Sequence, residues 1–338
     1  MQRLSLFLTV LITTVSTLSA QPPQQRERRP WPPFDAQNPD VHDPVMAWEG
    51  DSCYIFATGM GIQVMASADM KTWHRSQSVF REAPAWAVET VHGYRGHTWA
   101  PDIVRRDSLW YLYYSCSTFG RNRSAIGVAV SPTLNAASPD YGWTDLGQVI
   151  ASRPLLDDFN AIDPNVCFDA DGRPWLTFGS FWDGIQLVQL DSDMKTPIGS
   201  PKTIARRQNP EAVRSHTVQA NDNAVEAPFI IYHDGYYYLF VSFDLCCKGL
   251  NSTYKTAVGR SKKISGPFRD RQGKKMTKGG GTILIGQTDR YAGVGHCAAY
   301  EHNGQWFFLG HGYDKQQNGM SKLVLRPMIF EDGWPVIQ

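Results

Sequence analysis

Residues 163–191 read DPNVCFDADGRPWLTFGSFWDGIQLVQLD. A short apolar run leads into DADG (169–172), then an aromatic-rich run, PWLTFGSF (174–181), then a loop and the alternating IQLVQL. Short apolar and aromatic runs bounded by Gly, Asp and Asn read as strands, and DADG reads as a hairpin turn. No long stretch in the mature chain shows the 3–4-residue apolar spacing of a helix.

The same order of parts recurs on both sides. DPVMAWEGDSCYIFATGMGIQVMASADMKTW begins at Asp43 and APDIVRRDSLWYLYYSCSTFGRNRSAIGVAVS at Ala100. APFIIYHDGYYYLFVSFDLCCKGLNSTYKTAVGRS begins at Ala227 and GHCAAYEHNGQWFFLGHGYDKQQNGMSKLVLRPM at Gly295. Each unit has a first strand, a turn, an aromatic second strand, a loop and a third strand. The five starts lie 57, 63, 64 and 68 residues apart. Repeats of this length with several strands each predict an all-β fold, a five-bladed β-propeller over residues 41–338. A β-sandwich would not need five similar units.

Ahead of the repeats, residues 1–20 (MQRLSLFLTVLITTVSTLSA) carry one Arg, an apolar stretch diluted by Thr and Ser, and small residues at the end. This is the pattern of a secretory signal peptide, too short for a spanning helix. Cleavage near Ala20 would leave a secreted or periplasmic protein with no membrane insertion. Residues 21–40, rich in Pro, Gln and Arg, read as a flexible lead-in.

The 338 residues carry 33 basic and 32 acidic side chains with no like-charge block, which argues against a nucleic-acid partner. Aromatic residues make up 12% of the chain, enough for a core and for a binding cleft. The six cysteines form no CxxC and so match no zinc pattern. The adjacent Cys246 and Cys247 read either as a strained disulfide or as two loop thiols. KGGGT (278–282) lacks the rest of a phosphate loop, and the triplets NRS and NST match glycosylation sequons that often arise by chance.

Three acids stand out. Asp43, Asp163 and Glu226 each open a first strand with a Pro close behind, and they read as equivalent positions of three units. Pro is tolerated at a strand start, where its missing N–H costs no ladder bond. In a propeller the first strands line the central channel, so residues far apart in sequence meet at one end of it. Glycosidic cleavage needs a protonated acid and an ionised carboxylate, and a third carboxylate can raise the acid's pKa. Trp99, Phe119, Phe181 and Trp182 fall near strand starts or in equivalent loops, where rings suit the faces of sugars.

VHDPV, WAPDI, AIDPNV, GSFWDGI, VEAPFI, CCKGLNSTYKTAVGRS and GVGHCA together resemble glycoside hydrolase family 43, in particular its arabinan endo-1,5-α-L-arabinosidases. The resemblance runs from about His42 to the C-terminal EDGWPVI. It implies a five-bladed propeller that hydrolyses arabinan or arabino-oligosaccharides with inversion. A monomer is expected. Asp43 would be the general base, Glu226 the general acid, and Asp163 the residue that tunes and orients Glu226. His42, Ile162 and Ser180 would join Trp99, Phe119, Phe181 and Trp182 along the substrate. His296 would reach a metal ion, expected to be calcium, with waters as its other ligands. Read from the residues alone, His296 fits equally as a hydrogen-bond partner of a catalytic carboxylate. The family usually has GPGH where this chain has Val294, and Cys116, Cys167 and Cys297 replace ordinary small or apolar residues. Endo action is the leading expectation. An exo-acting arabinofuranosidase or a β-xylosidase of the same family is the first alternative, and a non-catalytic sugar-binding propeller the second.

Overall fold

The structure is a computed structural model that describes residues 34–207 and 223–338. The signal segment and the lead-in up to residue 33 lie outside the described residues. Each repeat folds as one antiparallel sheet, and the five sheets are the blades of a propeller. Blade I holds β1 (Val45–Glu49), β2 (Ser52–Ala57), β4 (Gln63–Ser67) and β5 (His74–Arg75). Blade II holds β6 (His97–Arg106), β7 (Leu109–Cys116), β8 (Ser124–Ser131) and β9 (Thr144–Ser152), with the short β3 (Gly59–Met60) added beside β6. Blade III comprises β10 (Asn165–Phe168), β11 (Pro174–Phe178), β12 (Ile185–Leu190) and β13 (Pro197–Ala205). Blade IV comprises β14 (Val225–His233), β15 (Tyr236–Phe243), β16 (Lys255–Ser261) and β17 (Thr282–Ile285). Blade V comprises β18 (Tyr291–His302), β19 (Gln305–Asp314), β20 (Met320–Glu331) and β21 (Trp334–Ile337).

The aromatic second strands are buried because neighbouring blades pack on both their faces; all of β15 beyond Tyr236 is buried. The blades each have a fourth, outer strand that the sequence pattern did not show. These edge strands are largely solvent-facing, as β13 is over most of its length, so they lack a strong apolar signature. The hairpins at Asp234-Gly235 (φ 45° and 75°) and Asn303-Gly304 (φ 52° and 76°) have two successive positive φ values. That is the type I′ geometry that HDG and HNG favour.

The first strands β1, β6, β10, β14 and β18 touch one another in that order, and β18 meets β1 again. The segment before Asp43 helps close this ring. Asp40 forms a β-bridge with Lys322, and Leu323 N–H donates to Pro39 O at 3.2 Å. The buried Lys322 ammonium lies 2.6 Å from Asp40 Oδ1 and donates to Asn38 O at 3.0 Å. Residues 34–40, read as the end of a flexible lead-in, are therefore held against the first and last blades. Inside the ring, Asp102 Oδ2 accepts from Val166 N–H (2.7 Å) and Asn165 Nδ2 (3.3 Å), while Asn165 Oδ1 accepts from Ile230 N–H (2.9 Å). This chain of bonds stitches β6, β10 and β14 together. Burial pushes the Asp102 carboxyl up to about 7, against the pull of its hydrogen bonds.

Candidate active site

One backbone device repeats in all five blades. Asp43, Ala100, Asp163, Ala227 and His296 have φ of 54°, 41°, 58°, 53° and 47°. Left-handed backbone is uncommon outside Gly, less so for Asp and His than for Ala, and five such residues at matching places persist because the surroundings hold them. Here each N–H has a fixed acceptor. Ala100 N–H donates to Thr58 Oγ1 (2.8 Å), Asp163 N–H to Ser115 Oγ (3.0 Å), His296 N–H to Ser242 Oγ (2.7 Å) and Asp43 N–H to His311 Nδ1 (3.1 Å). Each acceptor comes from the end of the second strand of the preceding blade. In blade III that place falls to Gly179, which pairs with Ile162 and has no side chain. Ala227 N–H goes instead to Asp163 Oδ2 at 3.2 Å.

This pattern corrects the expected equivalence of the three acids. Asp43 and Asp163 hold the left-handed position, but in blade IV it belongs to Ala227. Glu226 pairs with Ser242 and so matches His42, Trp99, Ile162 and Gly295, one residue earlier. A register shift between Glu226 and Phe229 interrupts the regular alternation of faces, so residues on either side of the left-handed turn can serve one channel. His296 is the true blade V counterpart of Asp43 and Asp163.

Asp43 is buried and surrounded by donors. His42 Nδ1 lies 2.8 Å and His296 Nδ1 2.9 Å from Oδ1, and Thr58 Oγ1 donates to Oδ2 at 2.6 Å. Burial alone would raise its pKa, but the His296 and His42 imidazoles hold it well below the usual carboxylate range. Burial likewise works against the charged forms of His42 and His296, yet the Asp43 carboxylate overrides it and raises both. His311 stacks on His42 with ring centroids 4.0 Å apart. Burial and the neighbouring His42 keep His311 well below the ordinary imidazole value, so its Nδ1 is free to accept the Asp43 N–H.

Glu226 has the opposite environment. It is buried, and its two oxygens take separate hydroxyl donors: Tyr254 to Oε1 and Ser180 to Oε2, each at 2.7 Å. Burial raises its pKa, while these two donors and His296 pull the other way. Asp163 is also buried and raised, by burial first and then by the charges of Glu226 and Asp43, with His296 opposing. The site therefore pairs one carboxylate kept ionised with two whose proton is held more tightly, and the His296 imidazole interacts with all three.

The expected residues divide into two groups. His42, Asp43, Asp163, Ser180, Glu226 and His296 are joined by direct contact or close electrostatic interaction. Ile162 is buried beside Asp163, and Phe181 N–H donates to Val225 O (2.9 Å), which sets the Phe181-Trp182 turn next to the Glu226 strand. Phe181 (φ 55°) and Trp182 (φ 37°) are themselves left-handed, and the turn is anchored by Asp183 bonding Arg206 through both oxygens at 2.7 Å. Trp99 is half-buried and donates to His97 Nδ1 at 2.8 Å. Phe119 is 80% exposed at a loop tip and touches none of the carboxylates. Sequence reading missed Thr58, Tyr254, His311 and Tyr313. STYK contains Tyr254, but nothing in that motif says that its hydroxyl reaches an acid on another strand. All six cysteines are free thiols, which settles Cys246 and Cys247 as loop thiols.

For a metal ion, His296 offers one nitrogen. Its Nδ1 is engaged by Asp43, and its Nε2 makes none of the described hydrogen bonds. That fits an ion whose other ligands are oxygens of water, as a hard cation requires. The tightest group of donor atoms is a different one: His42, Asp43 and His311 have atoms within 4.8 Å of one another. There His311 Nδ1 already accepts the Asp43 N–H, so that trio does not present a free set of lone pairs.

A five-bladed ring with buried carboxylates of opposed acidity at one channel mouth is the frame of a glycoside hydrolase. The model for glycosyl hydrolases family 43 matches residues 37–335, so the chain belongs to that family and is a glycosidase. It is 44% identical over 303 residues to an extracellular exo-α-(1→5)-L-arabinofuranosidase of Cellvibrio japonicus, covering 89% of this chain and 87% of that one. It is also 44% identical over 306 residues to an extracellular endo-α-(1→5)-L-arabinanase of Bacillus subtilis, covering 89% of each chain. The crystal structure of an exo-1,5-α-L-arabinanase from a bovine ruminal metagenomic library superposes with a TM-score of 0.86 at 59% identity, over 90% of this chain and 99% of that one.

Proposed function

We propose that this protein hydrolyses α-1,5-linked L-arabinofuranosyl bonds in arabinan by general acid/base catalysis with inversion. The observation that carries the reading is the contrast between Asp43, held ionised by two imidazoles, and Glu226, a buried acid with a raised pKa. Asp43 takes a proton from the attacking water. Glu226 gives one to the leaving oxygen, and hydroxyl partners on both its oxygens fix its plane. Asp163 and Glu226 act on each other through charge, by which Asp163 tunes the acid, and Asp163 anchors the backbone that follows Glu226 through Ala227 N–H. His42, Trp99, Ile162, Ser180, Phe181, Trp182 and the exposed Phe119 line the path of the sugar chain. The names of the relatives support arabinan as substrate and the exterior of the cell as the place of action; residues 1–20 fit export, to the exterior or to the periplasm.

Endo cleavage is the first reading, supported by the Bacillus relative. The 59% likeness to a structure named as an exo enzyme favours a second, exo-acting reading of the same site. Product analysis separates them. Linear arabinan that yields mixed oligosaccharides early is cut internally. A single short product from the start means attack from a chain end, and no cleavage refutes the function.

A calcium ion would be held by His296 Nε2 and waters, where it would supply positive charge facing the carboxylates. Removal by a chelator should lower activity, and calcium should restore it; full activity after verified removal refutes a catalytic need for the ion.

A further inference from the structure

Cys247 lies outside the machinery described above, and its setting is unusual. It is the one exposed cysteine; Cys53, Cys116 and Cys297 are buried, and Cys167 and Cys246 are half-buried. Its backbone is left-handed (φ 62°) and is pinned by a bond from its N–H to Tyr313 Oη at 2.7 Å. Its sulfur lies 3.7 Å from His42 Nε2, which also lies 3.0 Å from Tyr313 Oη, and the other nitrogen of that ring binds Asp43 at 2.8 Å. The Cys246 thiol is within hydrogen-bonding range of the same sulfur. An exposed sulfur with an imidazole and a second thiol as neighbours is the setting of a reactive thiolate.

We propose that Cys247 is a modification site that exchanges with small disulfides, such as oxidised glutathione or cystine, and that the resulting mixed disulfide switches the glycosidase off. The Cys247 thiolate attacks one sulfur of the small disulfide. A new S–S bond forms, the original S–S bond breaks, and the departing thiolate takes a proton from solvent. Cys247 is oxidised and the released half is reduced. The new group occupies the space beside His42 and, by its bulk, blocks the path proposed above for the sugar chain. A mixed disulfide should persist rather than pass to Cys246. Neighbouring Cα atoms are about 3.8 Å apart, shorter than ordinary disulfides accept.

The groups facing Cys247 are Cys246, His42, Asp43, Glu226 and the Tyr313 hydroxyl, and the balance of these favours the thiolate. The Cys246 hydrogen bond, then His42, pull the thiol down to about 5, against burial and the Asp43 charge. A thiolate of this kind has a recognisable pH signature. Between pH 6 and 8 its exchange rate should stay nearly flat, whereas that of an ordinary exposed thiol climbs by nearly two orders of magnitude. At pH 6 it should react roughly tenfold faster than an ordinary thiol, once its lower intrinsic nucleophilicity is included.

The test treats the reduced mature protein with oxidised glutathione at pH 6, 7 and 8, with intact-mass analysis and arabinan hydrolysis measured on the same samples. The expected result is one glutathione per chain at a nearly pH-independent rate, on Cys247 by peptide mapping. Activity should fall about tenfold or more and return with added thiol. Cys247→Ser and Cys247→Ala should keep the starting activity, take up no fast glutathione and resist inactivation. Modification at another cysteine, a rate that climbs with pH, or full activity in the modified protein each overturns the proposal. The mass readout needs no substrate. If arabinan is not cleaved even before treatment, the functional reading fails, while the exchange site is judged on its own.

Discussion

Tyr254→Phe is the sharpest probe of the acid. The hydroxyl donates to Glu226 Oε1 at 2.7 Å, and the ring is fully buried. A Cβ on Gly295 would lie 2.4 Å from Tyr254 Cδ1, so the glycine and the ring are fitted to each other. Phe keeps that packing and removes only the donor. A hydrogen bond to a charged group is worth about 1.5–3 kcal/mol, which corresponds to roughly 1–2 pH units. The bond favours ionised Glu226, so losing it raises the pKa further. A general acid works while protonated, so the alkaline limb of kcat/KM on linear arabinan should move up by about 1–2 units. Activity at the optimum should also fall, because one fix on the carboxyl plane is gone. Ser180→Ala should move the same limb in the same direction through Oε2. An alkaline limb that stays in place in both variants, or moves to lower pH, refutes the assignment of Glu226 as the acid.

Other outcomes follow from the same geometry. Glu226→Gln should abolish most hydrolysis while arabino-oligosaccharide binding, followed calorimetrically, persists; full activity would sink the acid role. Gly295→Ala should push the Tyr254 ring off Glu226 and lower kcat with a smaller effect on KM, measured by steady-state kinetics. Asp102 has a folded pKa of about 7, above its unfolded value, so its protonated form contributes stability that is complete below about pH 4 and lost as pH rises through 7. Asp102→Asn should flatten that loss, worth on the order of 1 kcal/mol per pH unit in the window, in denaturant unfolding at pH 4–8. Asp40→Asn removes the ionic partner of the buried Lys322 and should lower stability by about 1–3 kcal/mol, read as a lower Tm.

Much of the fold was legible because a propeller repeats itself. Two strands buried on both faces and one tight turn per unit leave aromatic runs and, in three of the units, a DG or NG pair, and five copies make the period visible. The outer strands left little trace because solvent tolerates most side chains there. The three carboxylates and His296 were legible through their motifs, but their register was not. DP at residues 43 and 163 and EAP at 226–228 look alike, and only strand pairing shows that Ala227, not Glu226, holds the left-handed position.

The sequence by itself determined the all-β class, the number of blades, the three acids and the family they indicate. These rest on local pattern and on side-chain identity. The tertiary structure decided which protons those acids keep. His311 and Tyr254 lie 268 and 28 residues from the groups they bond, and Thr58 reaches the left-handed turn of the next blade. A pKa depends on burial and on charges within a few ångströms, and no spacing along the chain encodes those distances. Closure of the ring brings them into being, and with them the difference between Asp43 and Glu226.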